Sequence, residues 1–256
     1  MNIMNKLLSI FSICLLTFCS VVIAQVPQPD RIATNKGDLV IQPILHGTLA
    51  LSWNDLTIYV DPYGGAERFE GIEDPDIIFI TDIHGDHLNQ NTLDALNLES
   101  CTIIAPSAVI EKLPEAMQSI SKSISNGESM KLNGISVDAI PMYNLPESPE
   151  SRHPKGRGNG YILTMGGKKV YLSGDTEDIA EMRALKNIDV AFICMNLPYT
   201  MDIDQAASAV NEFKPKIVYP YHYRGSGGLS DVESFQWQVT SASPDVEVRL
   251  RNWYSE

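Results

Sequence analysis

A stretch of six residues holds four side chains that can bind a metal ion: Asp82, His84, Asp86 and His87. The apolar run Ile77 to Ile80 precedes it, which predicts a buried strand that ends where the ligands begin. Alternation along an extended chain would place the first three side chains on one face, and Gly85 would let the backbone bend so that His87 turns toward the same centre. Imidazole and carboxylate suit zinc, iron or manganese, so we predict a metal site here rather than a solvated polar turn.

Three further residues are candidate ligands because of where they lie relative to predicted strands. Asp175 follows a strand-like run, although a helix N-cap is the structural alternative. His222 follows another such run, where a histidine flanked by tyrosines can also be purely structural. His153 lies in the long loop 143–159, and loops of this length in a compact domain tend to be functional, whereas the simpler alternative is a solvated histidine. We predict that all three are ligands, with Asp175 placed between two cations.

The first 24 residues have the pattern of a secretory signal peptide. A single basic residue, Lys6, precedes an apolar and small-residue segment from Leu7 to Ala24, which ends in Val-Ile-Ala before Gln25. We therefore expect an exported protein, periplasmic or secreted, with no stable membrane span after cleavage. The alternatives are an uncleaved anchor and a lipoprotein attached through Cys19.

The remaining residues, 25–256, fit one domain that is large enough to bury a substantial core. They include two cysteines, Cys101 and Cys194, which are too few for a disulfide framework. The full sequence has a net charge of −13 at pH 7, which repels polyanions, so nucleic acid is a poor candidate partner.

Strand and helix patterns alternate along these residues, and strands come first. Turn residues at His46-Gly47 and Asn54-Asp55 separate three apolar runs, which predicts an antiparallel meander over residues 39–60. Residues 25–37 read as a polar lead-in, and the amphipathic segment Asp204 to Phe213 predicts a helix. No linker divides the sequence, so we predict two packed sheets flanked by helices.

With these residues assembled, the sequence resembles the metallo-β-lactamase fold hydrolases over nearly all of residues 25–256. The second motif of that family, His-x-His-x-Asp-His, is matched by Asp82 to His87, except that Asp82 replaces the first histidine. Four short segments are similar to the branch of ascorbate-6-phosphate lactonases and acyl-phosphatidylethanolamine phospholipases: His-Gly-Thr at His46, Gly-Asn-Gly-Tyr at Gly158, Ser-Gly-Asp-Thr at Ser173 and Tyr-Thr-Met-Asp at Tyr199. The resemblance implies an α/β fold, a four-layer αββα sandwich of two mixed sheets flanked by helices.

The resemblance also implies two divalent cations, with Zn²⁺ as the first expectation. One would be bound by Asp82, His84 and His153, and the other by Asp86, His87 and His222, with Asp175 shared between them. Asp61 matches a family aspartate that supports the metal loop. Carboxylate is a harder ligand than imidazole and adds a negative charge, so Mn²⁺ or Fe²⁺ are alternatives at the Asp82 site, as is a single bound cation.

Hydrolysis is the expected reaction. A metal lowers the pKa of bound water from 15.7 to about 7, and Asp86 would orient the hydroxide toward a carbonyl or phosphorus. The substrate would be a small or lipid-like ester, lactone, amide or phosphodiester. Arg157 and Arg224 would hold an anionic group on it, although a solvated surface explains these arginines equally well. His46 would either orient a ligand or donate a proton. The alternatives are an exported metal-binding protein of the same fold without turnover, and a β-lactam hydrolase.

Overall fold

A computed structural model describes residues 28–254, so the predicted signal segment lies outside the described residues. The strands are β1 (Asp30–Thr34), β2 (Gly37–Leu45), β3 (Thr48–Trp53), β4 (Leu56–Val60), β5 (Ile77–Phe79), β6 (Thr102–Ala105), β7 (Ser121–Ser123), β8 (Ser129–Leu132), β9 (Ile135–Met142), β10 (Gly158–Met165), β11 (Lys168–Leu172), β12 (Val190–Cys194), β13 (Ile217–Tyr221), β14 (Arg224–Gly225), β15 (Gly228–Leu229) and β16 (Glu247–Val248). The helices are α1 (Gln90–Ala95), α2 (Ser107–Ile110), α3 (Glu115–Ser119), α4 (Ala180–Arg183), α5 (Ile203–Phe213) and α6 (Val232–Ala242), with a 3₁₀ turn at Ala66–Phe69.

The two halves of the chain form two seven-stranded mixed sheets with the same internal order. In the first sheet, β1 to β4 pair antiparallel and β4 to β7 pair parallel. In the second, β8 to β11 pair antiparallel, and β11, β12, β13 and β16 pair parallel. In each half, therefore, the parallel strands end at a common edge, where loops from different strands can meet.

Alternating side chains cover both faces of the first sheet. Ile58 and Phe79 belong to the main core cluster, which also contains residues of the second sheet, whereas Tyr59 and Ile78 pack with Leu93 and other residues of the outer helical layer. Strands that are apolar on both faces need cover on both sides. The cover on the outer face of the second sheet comes from α4, α5 and α6. The predicted four-layer αββα sandwich is thus confirmed.

The predicted meander is confirmed, whereas the predicted lead-in is wrong in part. Asn54 and Asp55 have φ of 51° and 60°, as the tight turn between β3 and β4 requires. Within residues 25–37, however, Asp30–Thr34 forms β1, an edge strand that pairs antiparallel with β2 through backbone hydrogen bonds. A polar edge strand carries little of the apolar signal on which the prediction relied. Among residues 28–254, no helix is long and apolar enough to cross a membrane.

Candidate metal centre

All seven predicted ligands meet at the edge where the parallel strands of both sheets end. Three groups have ligand atoms within 4.8 Å of one another: Asp82, His84 and His153; His87, Asp175 and His222; and His46, Asp86 and His222. The first group is called here the Asp82 side and the second the His87 side. The first half of the chain contributes its residues mainly through one loop after β5, and the second half contributes one residue from each of three loops.

The Asp82 side has two imidazoles directed at one carboxylate. His84 Nδ1 lies 2.5 Å from Asp82 Oδ2, and His153 Nε2 lies 4.0 Å from the same oxygen. The other ring nitrogen of His153, Nδ1, is 3.1 Å from Asn144 Oδ1, an oxygen that only accepts. His153 Nδ1 therefore carries the proton, and the Nε2 lone pair faces the centre. Sequence reasoning missed Asn144, which lies nine residues away in the same loop.

Arg157 contacts both oxygens of Asp82 instead of facing a substrate as predicted. Its Nε donates to Asp82 Oδ1 and its Nη2 to Oδ2, each at 3.1 Å. Burial alone would raise the pKa of Asp82, but the neighbouring His84, His87 and Arg157 lower that pKa to about 2. Asp82 is therefore an ionised carboxylate with a guanidinium as its partner.

The His87 side is built around Asp175, which also reaches the other side. Asp175 Oδ2 lies 3.3 Å from His87 Nε2 and 3.2 Å from His153 Nε2, and Asp175 Oδ1 lies 3.4 Å from His222 Nε2. Burial would raise the pKa of Asp175, but the charges of His222 and His87 hold it well below its usual value. The carboxylate thus lies between the two sides, where the resemblance placed it.

A buried carboxylate orients His87 from behind. Asp61 Oδ2 is 2.8 Å from His87 Nδ1, and Asp61 also accepts hydrogen bonds from the backbone N–H of Thr81 at 2.8 Å and from its hydroxyl at 2.6 Å. All three side chains are buried. His87 Nδ1 donates to Asp61. Burial alone would lower the pKa of His87, but the charges of Asp175 and Asp61 raise that pKa well above its usual value. A cation bound by His87 would therefore take the place of the proton on Nε2, which faces the centre.

His46 lies between Asp86 and Tyr254. Its Nδ1 is 2.7 Å from Tyr254 Oη, and its Nε2 is 3.2 Å from Asp86 Oδ2. The tyrosine oxygen already accepts the backbone N–H of Arg224 at 2.9 Å, so its own hydroxyl proton points to His46 Nδ1, and His46 Nε2–H then donates to Asp86. Burial lowers the pKa of His46, in keeping with a neutral ring. Nothing in the sequence pointed to Tyr254.

Backbone conformation at the centre is unusual at three non-glycine residues. His46, Asp61 and His222 have φ of 58°, 44° and 46°, in the left-handed region that such residues rarely adopt. Strain of this kind persists where the surrounding structure enforces it, which is common at functional sites. Gly47 contributes to this packing, because a Cβ there would lie 2.9 Å from Cδ2 of the His222 ring.

Two predictions about the loop geometry were wrong. Gly85 has no left-handed φ, and a Cβ added to it would meet no atom within 4 Å, so the bend does not require glycine. The bend is a turn in which the backbone N–H groups of His87 and Leu88 donate to His84 O at 3.0 and 2.7 Å. Because extended alternation stops at this turn, Asp86 lies with His46 and His222, not on one face with Asp82 and His84.

Several buried polar atoms at the centre fit a divalent cation. His84 Nδ1, His153 Nε2 and Asp175 Oδ1 are buried and make no hydrogen bond, although each lies within 2.5 to 3.4 Å of another nitrogen or oxygen of the centre. Buried polar atoms are rarely left unpaired in a folded protein. Imidazole nitrogens and carboxylate oxygens are the donors that Zn²⁺, Mn²⁺ and Fe²⁺ take, so the residues present fit such a group.

Comparison with known proteins identifies one family. The model of the beta-lactamase superfamily domain matches residues 41–222. A UPF0173 metal-dependent hydrolase of Nanoarchaeum equitans is 30% identical over 195 residues, which cover 73% of this chain and 80% of the relative. Another, from Pyrococcus abyssi, is 25% identical over 202 residues, with 75% and 84% covered.

Solved structures show the same architecture. A protein of Parabacteroides distasonis that is classed as a metal-dependent hydrolase superposes with a TM-score of 0.77 at 38% identity, covering 88% of this chain and 98% of the other. Igni18, a metallo hydrolase of Ignicoccus hospitalis, gives a TM-score of 0.70 at 24% identity, with 83% and 94% covered.

Proposed function

The chain belongs to the beta-lactamase superfamily, and from that premise we propose that it is a metal-dependent hydrolase of an ester, lactone or phosphodiester. The observation that carries this proposal is the convergence of seven imidazole and carboxylate side chains, several of them with buried atoms that lack any hydrogen bond. Relatives named as metal-dependent hydrolases support the same reaction class.

Seven residues of the centre would hold two cations. One cation would be held by Asp86, His87 and His222 and a second by Asp82, His84 and His153, with Asp175 shared between them and Zn²⁺ expected first. A bound cation supplies Lewis acidity and lowers the pKa of a water molecule toward neutrality. Asp86, whose side chain is 30% exposed, is the carboxylate placed to accept a proton from an attacking water, and His46 holds it in position.

Two arginines beside the centre favour an anionic substrate. Arg152 precedes His153 and lies 4.5 Å from the ring centroid of Tyr199, and Arg224 follows His222 by two residues and lies 4.2 Å from that of Tyr254. Within residues 28–254, neither forms a salt bridge, although the protein is strongly acidic. Unpaired guanidinium groups bind phosphate and carboxylate well. We propose that they bind an anionic group of the substrate, in place of the predicted pair of Arg157 and Arg224.

Exposed leucines next to Arg224 favour a substrate that also has an apolar part. Leu229 pairs with Arg224 in the β14–β15 hairpin, and Leu197 O accepts the backbone N–H of Ser226 in the same hairpin. The two leucines are 55% and 50% exposed. A lipid-like or other amphiphilic ester or phosphodiester would contact both features.

Metal analysis combined with a substrate panel tests the proposed function. We expect the purified protein to contain divalent metal and to hydrolyse at least one of an aryl ester, a lactone and an aryl phosphodiester, with activity lost on chelation and restored by Zn²⁺ or Mn²⁺. Metal content without hydrolysis of any class would instead indicate a metal-binding protein without turnover. Hydrolysis confined to a β-lactam would move the assignment to that class.

The arginine proposal has a separate test with a matched control. Arg152→Ala and Arg224→Ala should each raise KM for an anionic substrate about tenfold and leave KM for a neutral substrate unchanged. Arg31→Ala is the control, because Arg31 is an exposed arginine in the edge strand β1. Equal effects on anionic and neutral substrates would overturn the anionic assignment.

We also propose that residues 1–24 direct export to the periplasm or the medium. The N-terminal sequence of the protein isolated from each cell fraction tests this proposal, and a full-length chain in the cytoplasm would overturn it.

A further inference from the structure

The carboxylate of Asp82 has a cationic partner within the protein itself. Asp82 has no solvent exposure, and Arg157 donates to both of its oxygens in a bidentate pair. A bidentate guanidinium compensates the negative charge of a carboxylate and fixes its plane. Asp82 with Arg157 is therefore close to neutral as a unit, as an imidazole at that position would be.

Arg157 is anchored independently of the centre. Its Nη2 also donates to the backbone oxygen of Arg152 at 2.6 Å, and its side chain is only 21% exposed. Both residues belong to the loop that carries His153, so the guanidinium joins the two parts of the chain that form the Asp82 side. A cation approaching Asp82 thus meets a positive charge that is held in place.

On the His87 side, the group that supports the ligand has a negative charge. Asp61 Oδ2 lies 2.8 Å from Nδ1 of the His87 ring. A carboxylate behind an imidazole strengthens that ring as a ligand, whereas a guanidinium on a carboxylate weakens that carboxylate as a ligand. The two sides therefore differ in the charge that supports their ligands.

We propose that Arg157 is a positioning residue that weakens cation binding on the Asp82 side, so that the protein binds one cation tightly on the His87 side and a second more weakly. This inference rests on the proposed function, because it takes both sides to be cation sites. The weaker site fills and empties with the concentration of free divalent metal, while the tight site stays filled.

Cation titration of an arginine variant tests this inference. The full chain, freed of metal, is titrated with Zn²⁺ and with Mn²⁺ against a chromophoric chelator, and its Tm is measured without metal. For the wild type we expect two classes of site. Arg157→Met should tighten the weaker class about tenfold and lower the metal-free Tm by several degrees, because the buried Asp82 carboxylate loses its partner. Adding metal should then raise Tm more than in the wild type.

Two other variants control for stability and folding. Arg249→Met removes an arginine that is also 21% exposed and pairs with Glu247, and it should lower Tm without changing either class of site. Arg157→Lys keeps the charge but not the bidentate geometry, so it should fold and tighten the weaker class about threefold.

The outcomes separate the two proposals. If Arg157→Met and Arg157→Lys leave the weaker class unchanged or weaken it, the inference is overturned while the proposed function stands. A wild-type protein that binds no cation overturns the proposed function, and this inference with it.

Discussion

The two sides of the centre use the same ligand types but support them in opposite ways. On the His87 side, a buried carboxylate, Asp61, stands behind the imidazole, and Thr81 fixes that carboxylate through two hydrogen bonds. On the Asp82 side, a guanidinium stands behind a carboxylate, and a neutral amide, Asn144, stands behind an imidazole. The groups that hydrogen-bond to the ligands set the basicity and orientation of those ligands. The two sides should therefore differ in their affinity for a cation, even though their donor atoms are similar.

The difference also shows how the fold tolerates aspartate where the related motif has histidine. An added carboxylate would place an uncompensated charge in a fully buried position, which is costly. Arg157 removes that cost, and it comes from the loop that also supplies His153. The substitution and its compensation therefore belong to one local arrangement.

Removal of the residue shared by both sides should have the largest effect. Asp175→Asn keeps the shape but removes the charge between the two groups, so we expect activity on the identified substrate to fall at least about a thousandfold and metal content to fall on both sides. Asp178→Asn is the control, because Asp178 lies in the same loop and pairs with Arg183. Loss of one cation only would show that Asp175 belongs to one side.

Removal of the support behind His87 should affect one side only. Asp61→Asn replaces an acceptor of the His87 Nδ1 and Thr81 Oγ1 hydrogen bonds with a donor. We expect a loss of 10-fold to 100-fold in metal affinity at the His87 side, with the Asp82 side unchanged. Metal titration measures these affinities. An equal loss of affinity on both sides would contradict the idea that Asp61 supports the His87 side alone.

The corresponding change on the Asp82 side should have a smaller effect. Asn144→Ala removes the oxygen that accepts from both the backbone N–H and Nδ1 of His153, at 2.8 and 3.1 Å. Because an amide polarises the ring less than a carboxylate does, we expect only about a tenfold loss of affinity, confined to the Asp82 side. The same titration measures it, and a loss larger than that of Asp61→Asn would reverse the ranking of the two supports.

Removal of a hydroxyl next to His46 should affect turnover but not metal content. Tyr254→Phe frees His46 Nδ1 and leaves the backbone N–H of Arg224 without its acceptor. The hydrogen bond from His46 to Asp86 then loses its fixed direction, and we expect kcat to fall about threefold to tenfold. Tyr223→Phe is the control, since among residues 28–254 the Tyr223 hydroxyl hydrogen-bonds to two backbone atoms, Arg251 O and Trp253 N, and not to His46. A loss of metal in Tyr254→Phe would instead make His46 part of the cation site.

Sequence patterns predicted the layers of the fold and the residues that meet at the centre, because both depend on local features. Apolar alternation identifies the covered strands, and ligand-type residues follow strand ends. The resemblance indicated the support from Asp61, but the two contacts with the largest sequence separation were missed because nothing local marks them. Arg157 is 75 residues from Asp82, and Tyr254 is 208 residues from His46. Spacing along a chain says nothing about which of many arginines or tyrosines will reach such a partner.

The smallest predicted effect is that of a substitution at Gly85, in the loop between Asp82 and His87. Sequence reasoning gave Gly85 a conformational role, but its φ is compatible with any residue and a Cβ there would lie in open space. We therefore expect Gly85→Ala to leave activity within about twofold of wild type and to stabilise the fold by up to about 1 kcal/mol, since alanine restricts the unfolded chain. Gly47→Ala is the matched comparison, because its Cβ would displace the His222 ring and so reduce activity. If Gly85→Ala lost as much activity as Gly47→Ala, the loop between Asp82 and His87 would have to change shape during the reaction, and the two sides would not be independent.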